Sequence, residues 1–112
     1  LTGATLTGPE GPEDLNVAAL FIFIGQQPRT EWLEGTVLRD AGGFVLTGAS
    51  LLEGGKPPPG WGLSREPFLL ESSMPGVFVA GDVRVRSVKR IASAVGEGSM
   101  AVQFVHQYLA TV

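Results

Sequence analysis

Apolar positions along the chain form two patterns, one continuous near the amino end and one periodic near the carboxyl end. Val17-Ala18-Ala19-Leu20-Phe21-Ile22-Phe23-Ile24 runs unbroken and stops at Gly25. So short a run, rich in β-branched and aromatic residues, predicts a strand buried on both faces. At the far end, Ala94, Gly98, Ala101, Val105 and Leu109 recur at helical spacing. That stripe predicts a helix over residues 88–109, capped by Ser87, with Ala94 and Gly98 small enough for close packing.

The middle of the chain alternates short apolar runs with turn residues. Residues 36–39 and 44–47 flank Asp40-Ala41-Gly42-Gly43, the expected form of an antiparallel hairpin. Residues 67–71 predict a brief strand. Val77-Phe78-Val79-Ala80, between Pro75-Gly76 and Gly81-Asp82, predicts a short buried strand whose carboxyl end delivers Asp82 to a crevice. The other reading of Asp82 is a turn residue that caps its own backbone.

Turn chemistry fills the gaps. The near repeat Gly8-Pro9-Glu10 and Gly11-Pro12-Glu13 gives residues 1–16 a frayed or hairpin-like start, read as a loop between strands. Gly25-Gln26-Gln27-Pro28-Arg29-Thr30 suits either a segment crossing between two lobes or an ordinary loop. Residues 31–34, with Trp32 and Leu33, predict a turn that pins this segment to the core. Residues 48–66 form an excursion around Pro57-Pro58-Pro59, anchored by Trp61. A ligand for a proline-reading module is the weaker reading of it.

Composition narrows the class. At 112 residues and 44% hydrophobic, the chain suggests one domain with a buried core. The formal charge of −3 argues against nucleic acid or an anionic membrane as partner. Arg84, Arg86, Lys89 and Arg90 nonetheless cluster directly after Asp82, which leaves a solvated face or an anion site. No cysteine is present and His106 is the lone histidine, so thiol chemistry and a histidine-built metal site are not expected. Neither a membrane span nor a secretion signal is legible, and a cytoplasmic location is expected. The chain opens at Leu1 rather than methionine, which suggests a fragment or processed piece.

Two glycine patterns compete for a ligand. Gly96-Glu97-Gly98-Ser99-Met100-Ala101 fits G-x-G-x-x-A, but it lies well inside the predicted helix, whereas a dinucleotide fingerprint opens a helix after a strand. Those glycines read as packing sites. The predicted helix start, residues 87–91, is anion-favouring through its free amides and macrodipole, and it lies close enough to Asp82 for one ligand to touch both. Ser93, His106 and Asp82 would supply hydrolase residue types but without a nucleophile elbow.

The stretch Pro75-Gly76-Val77-Phe78-Val79-Ala80-Gly81-Asp82-Val83, followed at the proper distance by Ala92-Ser93-Ala94-Val95-Gly96-Glu97-Gly98-Ser99-Met100-Ala101, resembles the carboxyl-terminal flavin segment of thioredoxin reductases and related pyridine nucleotide-disulfide oxidoreductases. Residues 20–28, LFIFIGQQP, resemble the family's strand that crosses from the NADPH domain back to the FAD domain. The resemblance covers nearly the whole chain. It implies an α/β fold, a partial FAD/NAD(P)-binding Rossmann-like domain with a mixed β-sheet, a β-hairpin and one long C-terminal helix. Residues 1–16 would end the NADPH-domain region, residues 17–30 form the crossing strand, and residues 31–112 form the remainder of the FAD domain.

The same resemblance implies cofactor-binding roles for Gly81 and Asp82, beside the ribityl-pyrophosphate part of FAD, and for Lys89, Arg90 and Ile91, at the pyrimidine side of the flavin. It implies hydride passage from NADPH through FAD to a disulfide or another acceptor. Lys89-Arg90-Ile91 stands where the family commonly has Arg-Gln-Ala, and the proline-rich excursion is long; both features resemble a bacterial branch often fused to sensory domains. The first FAD-binding βαβ unit, the NADPH fingerprint and a Cys-x-x-Cys are expected before Leu1, so the chain alone is expected to be inactive. Its implied partners are those upstream segments, a thioredoxin-like protein and a second copy. A non-catalytic interaction or dimerisation module is the alternative.

Overall fold

The computed structural model describes residues 1–112. The turn-rich start folds on itself: β1 (Ala4–Gly8) and β2 (Gly11–Leu15) pair antiparallel, with Gly8 opposite Gly11 across Pro9-Glu10. Gly11 closes the turn at φ 112, a value open to glycine alone. Residues 1–16 are thus a hairpin in their own right rather than a loop between strands.

The chain then runs extended, and the expected strand over residues 17–24 is not formed. No backbone hydrogen bond involves residues 17–28, and Phe21, Phe23 and Ile24 are 76%, 90% and 90% exposed. A strand needs a neighbour to fill its ladder, and this chain brings none alongside. The hairpin and this apolar run draw the molecule out to 63 × 27 × 25 Å, with a radius of gyration of 20.0 Å, against about 13 Å for a compact chain of this length.

The folded body begins at Thr30. Its hydroxyl donates to the Gly43 carbonyl, and Arg39 Nη1 donates to its carbonyl at 2.7 Å. Thr30 therefore ties residues 25–29 to this body, and the expected turn follows it as a 3-10 turn over Glu31–Leu33, with Leu33 half-buried and Trp32 78% exposed, its Nε1–H donating to the Arg29 carbonyl. The expected hairpin is present in reduced form. Asp40 N–H donates to Phe44 O, Leu46 N–H to Leu38 O, and Arg39 and Val45 bridge. Val45 is fully buried and also bridges Arg84 in parallel, with Val45 N–H on Val83 O and Val85 N–H on Val45 O. The expected mixed sheet is thus not formed: it is reduced to these two isolated bridges, one antiparallel and one parallel, and the one sheet present is the antiparallel β1–β2 pair.

The expected strands at 67–71 and 77–80 likewise contract to one bridge, Glu71 with Phe78. Val77 is exposed and Phe78 to Ala80 are half-buried, because no further sheet covers their other face. The proline-rich excursion is anchored as expected by Trp61, which is 4% exposed and donates Nε1–H to the Arg65 carbonyl at 2.6 Å. Arg65 then lies 4.0 Å from the Phe68 ring centroid and grips Glu71 through both carboxylate oxygens at 2.6 and 2.9 Å. Glu71 is wholly buried and also accepts from the amides of Phe68 and Gly76.

The long helix is α1 (Ile91–Leu109), three residues shorter at its start than expected, with Arg90 rather than Ser87 at the cap position. Ser87 instead donates its hydroxyl to Arg84 O. The packed face also differs from the expected stripe. Ala94, Gly98 and Ala101 are half-buried as expected, but Val105 and Leu109 are exposed, and Phe104 and Tyr108 take the packed positions. Phe104 stacks on Phe68 and Phe78, at 5.6 and 6.4 Å between centroids, and Tyr108 meets Phe78 edge-on. Aromatic area outweighs the smaller aliphatic stripe in fixing the helix's rotation.

Two glycines separate backbone strain from steric conflict. At Gly48, φ 50, an added Cβ would stand 2.6 Å from Leu69 O, whereas at Gly54, φ 59, it would meet open space. Gly54→Ala is expected to cost about 1 kcal/mol and Gly48→Ala about 3 kcal/mol or more, read from urea unfolding. Equal unfolding midpoints for the two variants would refute the close contact at Gly48.

Candidate functional site

The turn after Ala80 gathers most of the sequence-predicted residues. Gly81 takes φ 85, so the chain reverses sharply and Arg84 N–H donates back to Gly81 O at 3.1 Å. Gly81 itself is buried, and Asp82, the next residue, is exposed. No side chain or amide is hydrogen-bonded to the Asp82 carboxylate, so its acceptors are open. It lines a cleft of about 220 Å³ with Gln26, Gln27, Pro28, Arg29, Phe44 and Val83. Residues 26–29 thus form one wall and the Asp82 turn the other. A second, shallower cleft of about 580 Å³ shares Gln26 and Phe44 and adds Ile22, Phe23, Gly25 and Lys89.

Lys89 is committed within its own turn. Its ammonium donates to the carbonyl oxygens of Asp82 and Arg84 and to Ser87 Oγ, and lies 4.3 Å from the Phe44 ring centroid. Arg84 is committed as well, paired with Glu97. The basic cluster therefore divides: two members hold the turn together, and Arg86 and Arg90 face solvent. Beyond Lys89 lies the start of α1, where no side chain caps the helix. The amides of Ile91, Ala92 and Ser93 have no acceptor in a preceding turn, and the positive end of the macrodipole is open there.

Glu97, absent from the sequence-based site, underpins the whole arrangement. Its carboxylate is buried and accepts from Gly81 N–H at 2.7 Å, from Arg84 Nε at 3.1 Å and from Arg84 Nη2. Arg84 Nη1 reaches on to Thr47 Oγ1 at 3.3 Å. The hydrogen bond from Arg84 holds the Glu97 carboxyl below the usual carboxylate range; burial opposes this, and the Gly81 amide and the charges of Arg84 and Lys89 reinforce it. A signal for this residue was present in the helical spacing, since Glu97 falls on the face of Ala94 and Ala101. An acid on a packed face requires a cation.

The structure brings Asp82 and Lys89 to adjoining clefts. Gly81 lies behind them, its amide occupied by Glu97, and neither cleft is lined by Arg90 or Ile91. Gln26 and Phe44, which line both clefts, were not singled out from the sequence. The pattern G-x-G-x-x-A falls inside α1, where Gly96 and Gly98 take no part in a turn.

Comparison with known proteins supplies the family. The chain is 34% identical over 96 residues to "Thioredoxin reductase 1, mitochondrial" of Arabidopsis thaliana, an alignment covering 86% of this chain and 21% of that protein. Against thioredoxin reductase of Listeria monocytogenes it is 28% identical over 111 residues, covering 97% and 29%. The crystal structure of thioredoxin reductase from Streptococcus pyogenes superposes with a TM-score of 0.64 at 27% identity, over 93% of this chain and 28% of that one. The chain is a thioredoxin reductase-like segment. It spans between a fifth and three-tenths of the length of these relatives. No family model matches the sequence. No helix is long and apolar enough to cross a membrane.

In this thioredoxin reductase-like segment the two buried carboxylates make stability depend on acid. Burial works against ionised Glu71, but hydrogen bonds from Arg65, Gly76 and Phe68 outweigh it, so its folded pKa, like that of Glu97, lies below the ordinary value near 4.5. The unfolded chain then takes up protons first. The stabilisation is complete above the unfolded value and is lost as pH falls through the lower folded one. Thermal unfolding followed from neutral pH downward is expected to show a steep decline of Tm below pH 4.5, shallower in Glu97→Gln. An unchanged slope in that variant would remove Glu97 from the account.

Proposed function

We propose that the chain is the carboxyl-terminal, flavin-binding part of a two-domain FAD- and NADPH-dependent oxidoreductase. Residues 1–16 end the NADPH-domain region in this reading, residues 17–30 cross between the domains, and residues 31–112 complete the FAD domain. The observation that carries it is the Asp82 carboxylate, open on a cleft whose other wall is Gln26 to Arg29, nine residues before the first residue of an uncapped helix. The donor set fits the cofactor: polyol hydroxyls need an acceptor such as Asp82, and a ring that gains negative charge on reduction is favoured near free helix amides.

When bound, FAD would supply the hydride chemistry, between NADPH and a disulfide of a thioredoxin-like protein or another acceptor. The segment's own residues bind and orient. Asp82 accepts hydrogen bonds from hydroxyls, Gly81 lets the turn approach closely, and Lys89, Arg90 and Ile91 present the amino end of α1 to the pyrimidine side. Lys89 does so from within, by holding the turn. The remaining half of the site belongs to upstream segments of the same protein.

The second reading, a non-catalytic interaction or dimerisation module, is favoured by the exposed apolar surface at Leu20 to Ile24 and along Ile91, Val95, Val102 and Leu109. Such area is large for a free monomer.

The test is the visible spectrum of the full reading frame. Bound flavin that NADPH bleaches is expected, and Asp82→Ala is expected to weaken FAD binding by about tenfold or more, since a hydrogen bond to a charged group contributes about 1.5–3 kcal/mol and about 1.4 kcal/mol is tenfold. A colourless preparation that gains no flavin absorbance with added FAD rejects the flavoenzyme. For the isolated chain, sedimentation is expected to show concentration-dependent association, and a stable monomer at high concentration counts against both the exposed surface and the module.

A further inference from the structure

We infer that Glu97 is a positioning residue that sets the distance between Asp82 and the amino end of α1, so that one cofactor can reach both. The inference rests on the flavin reading above and adds a residue that touches no ligand. Three donors converge on its carboxylate: the amide of Gly81, which immediately precedes Asp82, and two nitrogens of Arg84, two residues beyond it. The loop is thus held on both sides of Asp82 by one side chain of α1. Glu97 lies six residues into that helix, about 9 Å along its axis from Ile91 at 1.5 Å per residue.

The rest of the turn copies this constraint. Arg84 passes it to Thr47 through Nη1, and through its backbone to Val45. Its carbonyl also receives Ser87 Oγ and Lys89 Nζ, so the segment from the turn to the helix cap is referred to the same group. A Cβ on Gly81 would lie 3.4 Å from Ala94 Cβ, which leaves little slack between turn and helix. Nothing else on α1 hydrogen-bonds to the Asp82 turn.

The experiment uses the full reading frame with FAD as probe, comparing wild type, Glu97→Gln, Glu97→Asp and Glu71→Gln. Glu71 forms the other buried pair, with Arg65, and makes no hydrogen bond to residues 81–97; its variant reports stability loss alone. Glu97→Gln is expected to raise the FAD dissociation constant by about tenfold, while Glu71→Gln stays within about twofold of wild type despite a comparable fall in Tm. With FAD at saturation, the flavin midpoint potential of Glu97→Gln is expected to move negative, since the helix start no longer sits where it favours the reduced ring. Glu97→Asp keeps the charge with a shorter reach and is expected to recover part of the affinity.

Wild-type affinity and potential in a folded Glu97→Gln would overturn the inference, as would equal losses in Glu97→Gln and Glu71→Gln. If Glu97→Gln does not fold, Glu97→Asp decides: an unchanged dissociation constant and potential overturn it. A wild-type protein that binds no FAD sinks the flavin reading itself, an outcome visible before any variant is made.

Discussion

Two carboxylates, not an oil-like core, hold the body of this chain together. Only Val37, Val45, Leu51, Trp61 and Leu70 are buried hydrophobic residues, too few to fix the loops around them by area alone. Glu71 and Glu97 take over that role, each by collecting a guanidinium together with backbone N–H groups, two at Glu71 and one at Glu97. Glu71 joins the amides of Phe68 and Gly76 to Arg65, and Glu97 joins Gly81 to Arg84. A buried ion pair gives little net stability when compared with apolar packing, but removing one partner is costly. Its main contribution is to specify one geometry, and here each pair specifies a turn.

That division explains why the open acceptors gather where they do. The Glu71 cluster is closed, with Arg65 sandwiched toward Phe68, Trp61 and Tyr108 and no acceptor left over. The Glu97 cluster is closed on its inner side only. Its outer side presents the unbonded Asp82 carboxylate, the Phe44 ring and the cleft against Gln26 and Gln27. One polar network therefore fixes the scaffold, and the other fixes a surface with acceptors to spare.

Elements with a local cause were legible in the sequence. The α1 helix follows from spacing, the Trp61 anchor from a single large aromatic in a proline-rich stretch, and the turn at Gly81-Asp82 from residue chemistry. Partner-dependent elements were not. Residues 17–24 have every local property of a strand, yet strand formation depends on a neighbour that residue patterns cannot supply. The same holds at Val77 to Ala80, where only Phe78 finds a partner. In the site, Asp82 was legible because it ends an apolar run, whereas Glu97 pairs with Arg84 across thirteen residues and a reversal of the chain. Ser87 looked like a helix cap, but its hydroxyl finds Arg84 O first, so local competition moved the helix start to Ile91.

The proline-rich excursion is fastened at both feet and free at its tip. Gly48 N–H is bonded to Glu71 O at one end, and Trp61 and Arg65 are locked at the other, while residues 53–56 and 59–60 are exposed. Closing a longer loop between fixed ends costs only about 0.6 kcal/mol for each doubling of its length. The tip is consequently a part of the chain where insertions and new sequence can accumulate at little cost, so that the segment can diversify in length there while the turn at Asp82 keeps its shape.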